Sequence, residues 1–275
     1  MISLQFSHED WRYCWGKVTF PIKVGGSILN RINGLREKIT SNETYSREDN
    51  LQIFDDHCKN GPRYLFRAVD KKYGISKNIL CDIGCAYGTN LIFCNHDSYG
   101  IEIDERKVNF ITGLGFNVYK RDVVYESLDD LPRVEVIWCS EVLEHLDSPH
   151  IFLRKMYMLL KPGGILVLSV PTYPIFPLLR YIPWVGEYIS SYKVDDHINA
   201  FVPKTLRFFC ARSGFKTIEI SPFYPGILSI FNKLPIANAI LSKCVYIGEK
   251  IDGWDYPVKA SRKAAPNENG FVFKR

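Results

Sequence analysis

The 275-residue chain has no charge-free apolar run that approaches the length of a membrane span. Its first ten residues lack the basic start and apolar stretch of a secretion signal. Its eight cysteines are not paired with further Cys or His at the spacings typical of zinc sites. We therefore expect a cytoplasmic protein with free thiols and no bound metal.

The chain also lacks a strong charge of one sign. Its 35 Lys and Arg residues are nearly balanced by 30 Asp and Glu residues, which leaves a net charge of +5. The basic residues are spread along the chain, whereas nucleic-acid-binding proteins usually cluster them on one face. This distribution argues against a nucleic-acid partner and favours a small-molecule one, while the mild positive charge permits contact with an anionic membrane surface.

The most informative stretch is residues 80–90, in which an apolar run ends in Asp82 and is followed by Gly84 and Gly88. Two glycines four apart permit a tight turn from strand to helix and a close approach by a ligand. Glu102 ends the next apolar run, about twenty residues past the loop, where a carboxylate can bind the two hydroxyls of a ribose. The pattern predicts a site for an adenosine-containing molecule.

The loop lacks the G-x-G-x-x-G spacing that wraps the pyrophosphate of a dinucleotide. Asp82, just before the loop, would repel a phosphate but would attract a cationic sulfonium or α-amino group. The sequence therefore favours S-adenosylmethionine over NAD, and it disfavours a dehydrogenase.

Short apolar runs alternate with helical stretches from residue 78 onward. This alternation predicts an α/β fold with a parallel sheet and helices on both faces. The predicted strands are residues 79–83, 98–102, 117–120, 134–139, 165–170, 215–220 and 270–275, and the predicted helices are 89–95, 105–112, 149–160 and 203–213. Ligands of such sheets bind at the carboxyl ends of the strands, where Asp82, Glu102, Asp122 and Ser140 fall.

The order of motifs resembles that of the class I S-adenosylmethionine-dependent methyltransferases. Residues 82–88 are similar to the first motif of that family, D-x-G-x-G-x-G in many members, with Ala86 in place of the middle glycine. Residues 121–123, 140–146 and 160–166 resemble three later motifs, the last two of which read EVLEHL and LKPGG. The resemblance covers roughly residues 76–220 and is closest to the small-molecule and lipid-quinone O-methyltransferases. It implies a Rossmann-like, seven-stranded, mostly parallel sheet with helices on both faces and an antiparallel last strand.

The resemblance also implies residue roles. Glu102 would bind the ribose of S-adenosylmethionine, and Asp122 would bind the adenine amino group, with Val123 lining the ring. The predicted cofactor-binding residues are Asp82, Gly84, Cys85, Ala86, Gly88, Glu102, Ile103, Asp122, Val123 and Ser140. S-adenosylhomocysteine would be the product.

Two histidines are candidates for the general base that a hydroxyl nucleophile benefits from. His145 follows the fourth predicted strand on the substrate side, and His197 lies two residues after Asp195, a carboxylate that could orient it. Structural roles in loop hydrogen bonding and helix capping remain open for both histidines. Glu141, His145 and Tyr173 are the candidates for contact with the substrate.

The predicted domain organisation is an N-terminal helical cap segment over residues 1–75 and a methyltransferase domain over residues 76–275. Apolar insertions are expected at about 173–193 and 222–269. Packing over the sheet edge, a lid for an apolar substrate, peripheral contact with a membrane and a homodimer interface all remain open for these insertions.

We expect an enzyme that transfers a methyl group from S-adenosylmethionine to an oxygen of a small, partly apolar metabolite by in-line displacement. The alternatives are a tRNA or other nucleic-acid methyltransferase and a non-catalytic binding protein with the same fold. Residues 173–269 contain no pattern that specifies the substrate, and a fold does not fix a function.

Overall fold

The computed structural model describes residues 26–41, 52, 54, 62–172, 197–222 and 243–254. Within these ranges the helices are α1 (Gly26–Ser41), α2 (Pro62–Tyr73), α3 (Glu105–Gly113), α4 (Pro149–Leu159) and α5 (Pro203–Arg212). The strands are β1 (Leu80–Ile83), β2 (Tyr99–Glu102), β3 (Asn117–Lys120), β4 (Val134–Ser140), β5 (Leu160–Pro171), β6 (Phe215–Pro222) and β7 (Lys243–Lys250). Short 3-10 turns lie at Ile75–Lys77, Leu91–Phe93 and Leu143–His145.

The seven strands form one sheet in the order β3-β2-β1-β4-β5-β7-β6. All neighbouring pairs from β3 to β5 are parallel, and β7 runs antiparallel to both β5 and β6. The predicted Rossmann-like sheet with an antiparallel last strand is confirmed. The strand order reverses between β1 and β4, and ligands of open α/β sheets bind at the carboxyl end of such a switch point.

Helices cover both faces of the sheet, as the sequence predicted. Alternate residues of a strand point to opposite faces, and β4 shows this clearly: Trp138 packs with α2, and its ring meets that of Phe66 edge-on at a centroid distance of 5.0 Å. Ile137, its neighbour in β4, packs with Phe152 of α4 on the other face. Burial on both faces fixes the strand, and with it the position of the residues that follow its carboxyl end.

Two predicted elements differ from those observed. The antiparallel seventh strand is Lys243–Lys250, which the sequence placed within an insertion, and the predicted strand 270–275 lies outside the described residues. The predicted helix 89–95 is only the turn Leu91–Phe93, because the amide of Asn95 donates to the carbonyl of Ser76 at 3.0 Å and draws the chain away from a helical path.

The antiparallel strand β7 aligns its first residues with the ends of its neighbours. Lys243 pairs with Pro171 at the end of β5, and Cys244 pairs with Pro222 at the end of β6. The segments 173–196 and 223–242, which contain most of the predicted apolar insertions, lie outside the described ranges. No helix within the described ranges is long and apolar enough to cross a membrane, and the six cysteines found there are free and buried.

Candidate active site

The loop between β1 and the turn at Leu91 adopts a conformation that requires glycine. Gly84 and Gly88 have φ angles of 65° and 68°, in the left-handed region that residues with a Cβ avoid. Space is also short, since a Cβ on Gly84 would lie 2.6 Å from Cγ2 of Val142, and one on Gly88 would lie 3.0 Å from Cγ2 of Ile111. Ala86 is also left-handed, at 49°, which costs about 1 kcal/mol for a residue with a side chain.

Glu102 fixes this loop to the end of β2. Its buried carboxylate accepts hydrogen bonds from the amide of Ala86 at 3.0 Å and from those of Ile103 and Asp104 at 2.9 and 3.1 Å. A carboxylate offers about four acceptor positions, so its orientation is set while one position remains for a ligand hydroxyl. The Ile103 side chain, 61% exposed, presents an apolar surface beside it.

Asp82 lies at the end of β1 with a carboxylate that is almost fully buried. Its pKa is raised to about 7, mainly by burial and also by the nearby charge of Glu102, while a hydrogen bond of 3.2 Å from the Asn90 amide opposes the rise. Oδ1 of Asn90 is also buried and has no hydrogen-bond partner among the described residues. The carboxylates of Asp82 and Glu102 and the Oδ1 atom of Asn90 are all hydrogen-bond acceptors, a combination that suits a cationic donor such as an ammonium group.

Asp122 follows β3 and uses one oxygen to shape its own turn. Its Oδ1 accepts hydrogen bonds from the amides of Val124 at 2.8 Å and Tyr125 at 3.0 Å. The hydroxyl of Tyr125 in turn donates to the carboxylate of Asp147, across the carboxyl edge of the sheet. Asp122 therefore presents a fixed carboxylate next to the buried side chain of Val123.

The end of β4 carries a strained residue held by two neighbouring strands. Glu141 has a φ of 57°, rare for a residue with a side chain and frequent at functional sites. Its carboxylate accepts a hydrogen bond from the Ser169 hydroxyl at 3.2 Å and pairs with the Lys243 ammonium at 3.3 Å. The Ser140 and Ser169 hydroxyls lie 2.7 Å apart.

The structure brings both predicted histidines to one place. The rings of His145 and His197 meet edge to face at a centroid distance of 4.7 Å, although the sequence separates them widely. The fully buried carboxylate of Glu144 lies with them, with Oε1 at 3.9 Å from Nε2 of His145. We call these three residues the Glu–His–His cluster; they could accept a proton or hold a metal ion.

Hydrogen bonds tie the segment carrying His197 to the turn at Leu143–His145. The amides of Ile198 and Asn199 both donate to the carbonyl of Glu144, at 3.1 and 3.0 Å, and the Asn199 side chain donates to the carbonyl of Leu146. Asp195 and Tyr173, the other predicted site residues, lie outside the described part of the chain.

Glu144 is the member of the cluster that sequence reasoning missed. It stands in the quoted EVLEHL motif, within the one-turn helix Leu143–His145, and its full burial depends on residues that are distant in the sequence. The predicted residues Asp82, Glu102, Asp122, Ser140, Glu141 and His145 all lie in or beside the ends of β1 to β4.

Comparison with known proteins gives a family match. Residues 55–220, more than half of the chain, match a family model described as a methyltransferase domain. The chain is 26% identical over 178 residues to the ubiquinone biosynthesis O-methyltransferase of Colwellia psychrerythraea, covering 60% of this chain and 72% of that protein. A protein with the same name from Rickettsia canadensis is 25% identical over 178 residues, covering 61% and 70%.

The fold also has solved counterparts. A methyltransferase structure from Archaeoglobus fulgidus, titled as dependent on S-adenosylmethionine, superposes with a TM-score of 0.53 at 23% identity. The match covers 72% of this chain and 98% of that one. At this level of identity the likeness shows a shared fold.

Proposed function

This chain belongs to the methyltransferase domain family, and we propose that it transfers a methyl group to an oxygen of a small, partly apolar metabolite. It is a class I methyltransferase that uses S-adenosylmethionine. The observation that carries the finer proposal is the placement of the Glu–His–His cluster after β4, the strand that neighbours β1 and its Asp82 in the sheet.

The residues of the loop fit S-adenosylmethionine. The carboxylate of Asp82 and the orphaned Oδ1 of Asn90 would bind its cationic amino-acid portion, and the remaining acceptor position of Glu102 would bind a ribose hydroxyl. Asp122 and the exposed face of Ile103 would flank the adenine. The roles of Asp82, Glu102 and Asp122 are those that the sequence motifs imply, and Asn90 is an addition to them.

Bound S-adenosylmethionine supplies a methyl group that is already activated by a positively charged sulfur. The chain therefore has two tasks. The first is to hold the acceptor in line, since alignment alone is worth about 7–11 kcal/mol of the barrier. The second is to manage the acceptor's proton, for which a positioned base contributes about 10²–10⁴-fold.

The Glu–His–His cluster supports oxygen as the methyl acceptor. Hydroxyl groups are weak nucleophiles until they lose a proton, and the half-buried imidazoles of His145 and His197 can promote that loss. The Colwellia and Rickettsia relatives are named as O-methyltransferases of ubiquinone biosynthesis, which supports a phenolic, partly apolar acceptor for this chain.

The test has two stages. Calorimetry should show binding of S-adenosylhomocysteine that is lost in Asp82→Ala and Glu102→Ala but retained in Asp97→Ala, a control whose carboxylate is exposed. Labelled methyl transfer should then be measured to a panel of phenols, catechols and amines, with total tRNA in parallel. Transfer to tRNA or to amines alone would contradict the proposal, and no binding by a folded protein would point to a non-catalytic role.

A further inference from the structure

We infer that the Glu–His–His cluster is a binding site for a divalent transition-metal ion, which in turn binds the acceptor hydroxyl. The ion-binding part of this inference stands on the geometry of Glu144, His145 and His197. The role given to the ion rests on the proposed function.

The ligand atoms are close enough for one ion to bridge them. Each residue offers one atom, and the three atoms lie within 4.8 Å of one another. Bonds of about 2.0–2.2 Å to a tetrahedral ion place neighbouring ligands about 3.3–3.6 Å apart. Small rotations of the two half-buried imidazoles toward the buried carboxylate of Glu144 would close that gap.

The backbone holds the ligands together without help from an ion. Glu144 and His145 lie on one short turn, and the two amide bonds to the Glu144 carbonyl bring His197 to that turn. The side chain of Asn199 adds a third bond. A site fixed in this way loses little conformational freedom when an ion binds, which favours affinity.

The donor set indicates which ions fit. Imidazole suits Zn²⁺, Fe²⁺ and Ni²⁺, whereas carboxylate and water suit Mg²⁺, Ca²⁺ and Mn²⁺. Two imidazoles with one carboxylate favour Zn²⁺, Fe²⁺ or Mn²⁺, and three protein ligands leave at least one position for a substrate oxygen, as in catalytic rather than structural sites. Glu141 does not complete the set, because Ser169 and Lys243 bind its carboxylate.

The ion would supply the acid–base chemistry that the histidines otherwise provide. A divalent ion lowers the pKa of a bound hydroxyl, so the O–H bond breaks and its proton passes to solvent. The oxygen then forms a bond to the methyl carbon as the carbon–sulfur bond breaks, with its electron pair staying on sulfur. This favours an acceptor with two adjacent oxygens that can chelate the ion, such as a catechol.

The sequence led to an expectation of no metal because the ligands lie in two distant segments.

The test begins with full-length protein dialysed against a chelator. Calorimetry with Zn²⁺ and Mn²⁺ should show about one site per chain, and Co²⁺ should give visible absorption bands from its coordinated imidazoles. His197→Ala should weaken binding beyond the roughly 10–100-fold cost of losing an outer-shell partner. Glu144→Gln should weaken metal binding to a similar extent. The control is His96→Ala, because His96 is an exposed histidine that also lies beside an acid, and this variant should bind the ion as the wild type does.

Retention of full affinity by His197→Ala, or absence of any site in the wild type, would overturn the inference. Circular dichroism and the binding of S-adenosylhomocysteine show that each variant is folded. If S-adenosylhomocysteine binds but no ion does, the inference fails and the proposed methyl transfer stands. If the ion binds but no oxygen acceptor is methylated, the site stands and the proposed function fails.

Discussion

Asp82 and Glu102 end two adjacent parallel strands, and the charge of Glu102 adds to the burial that raises the pKa of Asp82 to about 7. Two acids so placed repel each other and are costly to keep ionised together. The cost is acceptable in a site that receives a cation, because the cation compensates both charges. Two predictions rest on this relationship.

The first prediction concerns stability. The raised pKa means that the folded chain holds a proton on Asp82 that the unfolded chain releases above about pH 4, so stability is lost as pH rises from about 4 to 7. Asp82→Asn removes this effect. The difference in free energy of unfolding between Asp82→Asn and the wild type should therefore favour the variant more at pH 8 than at pH 5, by at least about 1 kcal/mol. Urea unfolding at both pH values measures the difference, and an equal difference at both would contradict it.

The second prediction concerns ligand affinity, which should rise with pH where stability falls. Binding of a cationic ligand requires Asp82 ionised, so affinity for S-adenosylhomocysteine should rise by about 10-fold between pH 6 and pH 8. Calorimetry across this range checks it. Asp82→Asn should bind weakly and with little dependence on pH, and a wild-type affinity that is flat with pH would show that Asp82 is already ionised in the free protein.

A third prediction separates steric crowding from backbone strain at two glycines with positive φ angles. Gly84 and Gly163 both have φ near +65°, but a Cβ would meet Val142 at the first and nothing within 4 Å at the second. Gly163→Ala should cost about 1–2 kcal/mol of stability from strain alone. Gly84→Ala should cost about 1–3 kcal/mol more from overpacking and should abolish binding of S-adenosylhomocysteine. Equal losses of stability would show that Val142 moves aside freely.

The fourth prediction concerns the support of the Glu–His–His cluster. Asn199→Ala removes the side-chain bond to the Leu146 carbonyl and loosens the segment that carries His197. The affinity for Zn²⁺ should fall by about 10-fold or more, while binding of S-adenosylhomocysteine should not change. If both affinities fell together, the substitution would be shown to disturb the carboxyl ends of the strands in general and not the cluster alone.

Much of the cofactor side of the site could be predicted because each part is local. Asp82, Gly84 and Gly88 lie at the end of β1 and in the loop that follows it. The carboxyl ends of parallel strands meet at one edge of a sheet, so Glu102 and Asp122 join them. Whether each residue contacts the cofactor stays a prediction for the binding measurements.

The Glu–His–His cluster could not be predicted in the same way. Long-range hydrogen bonds, among them those of Ile198 and Asn199 to the Glu144 carbonyl, bring His197 to His145, and no local pattern encodes them. The burial of Glu144 depends on its tertiary surroundings. Strand β7 was missed because its apolar residues continue a longer apolar stretch, and only pairing with β5 and β6 distinguishes it.

The antiparallel β7 has a consequence for how this protein can diversify. Since β5 and β6 both finish, and β7 starts, at the same edge of the sheet, the segments 173–196 and 223–242 each leave from that edge and return to it. Insertions or exchanges in either segment leave every strand pairing intact. Evolution can therefore vary the length and sequence of these two segments while the strand ends that carry Asp82 and Glu102 keep their places in the sheet.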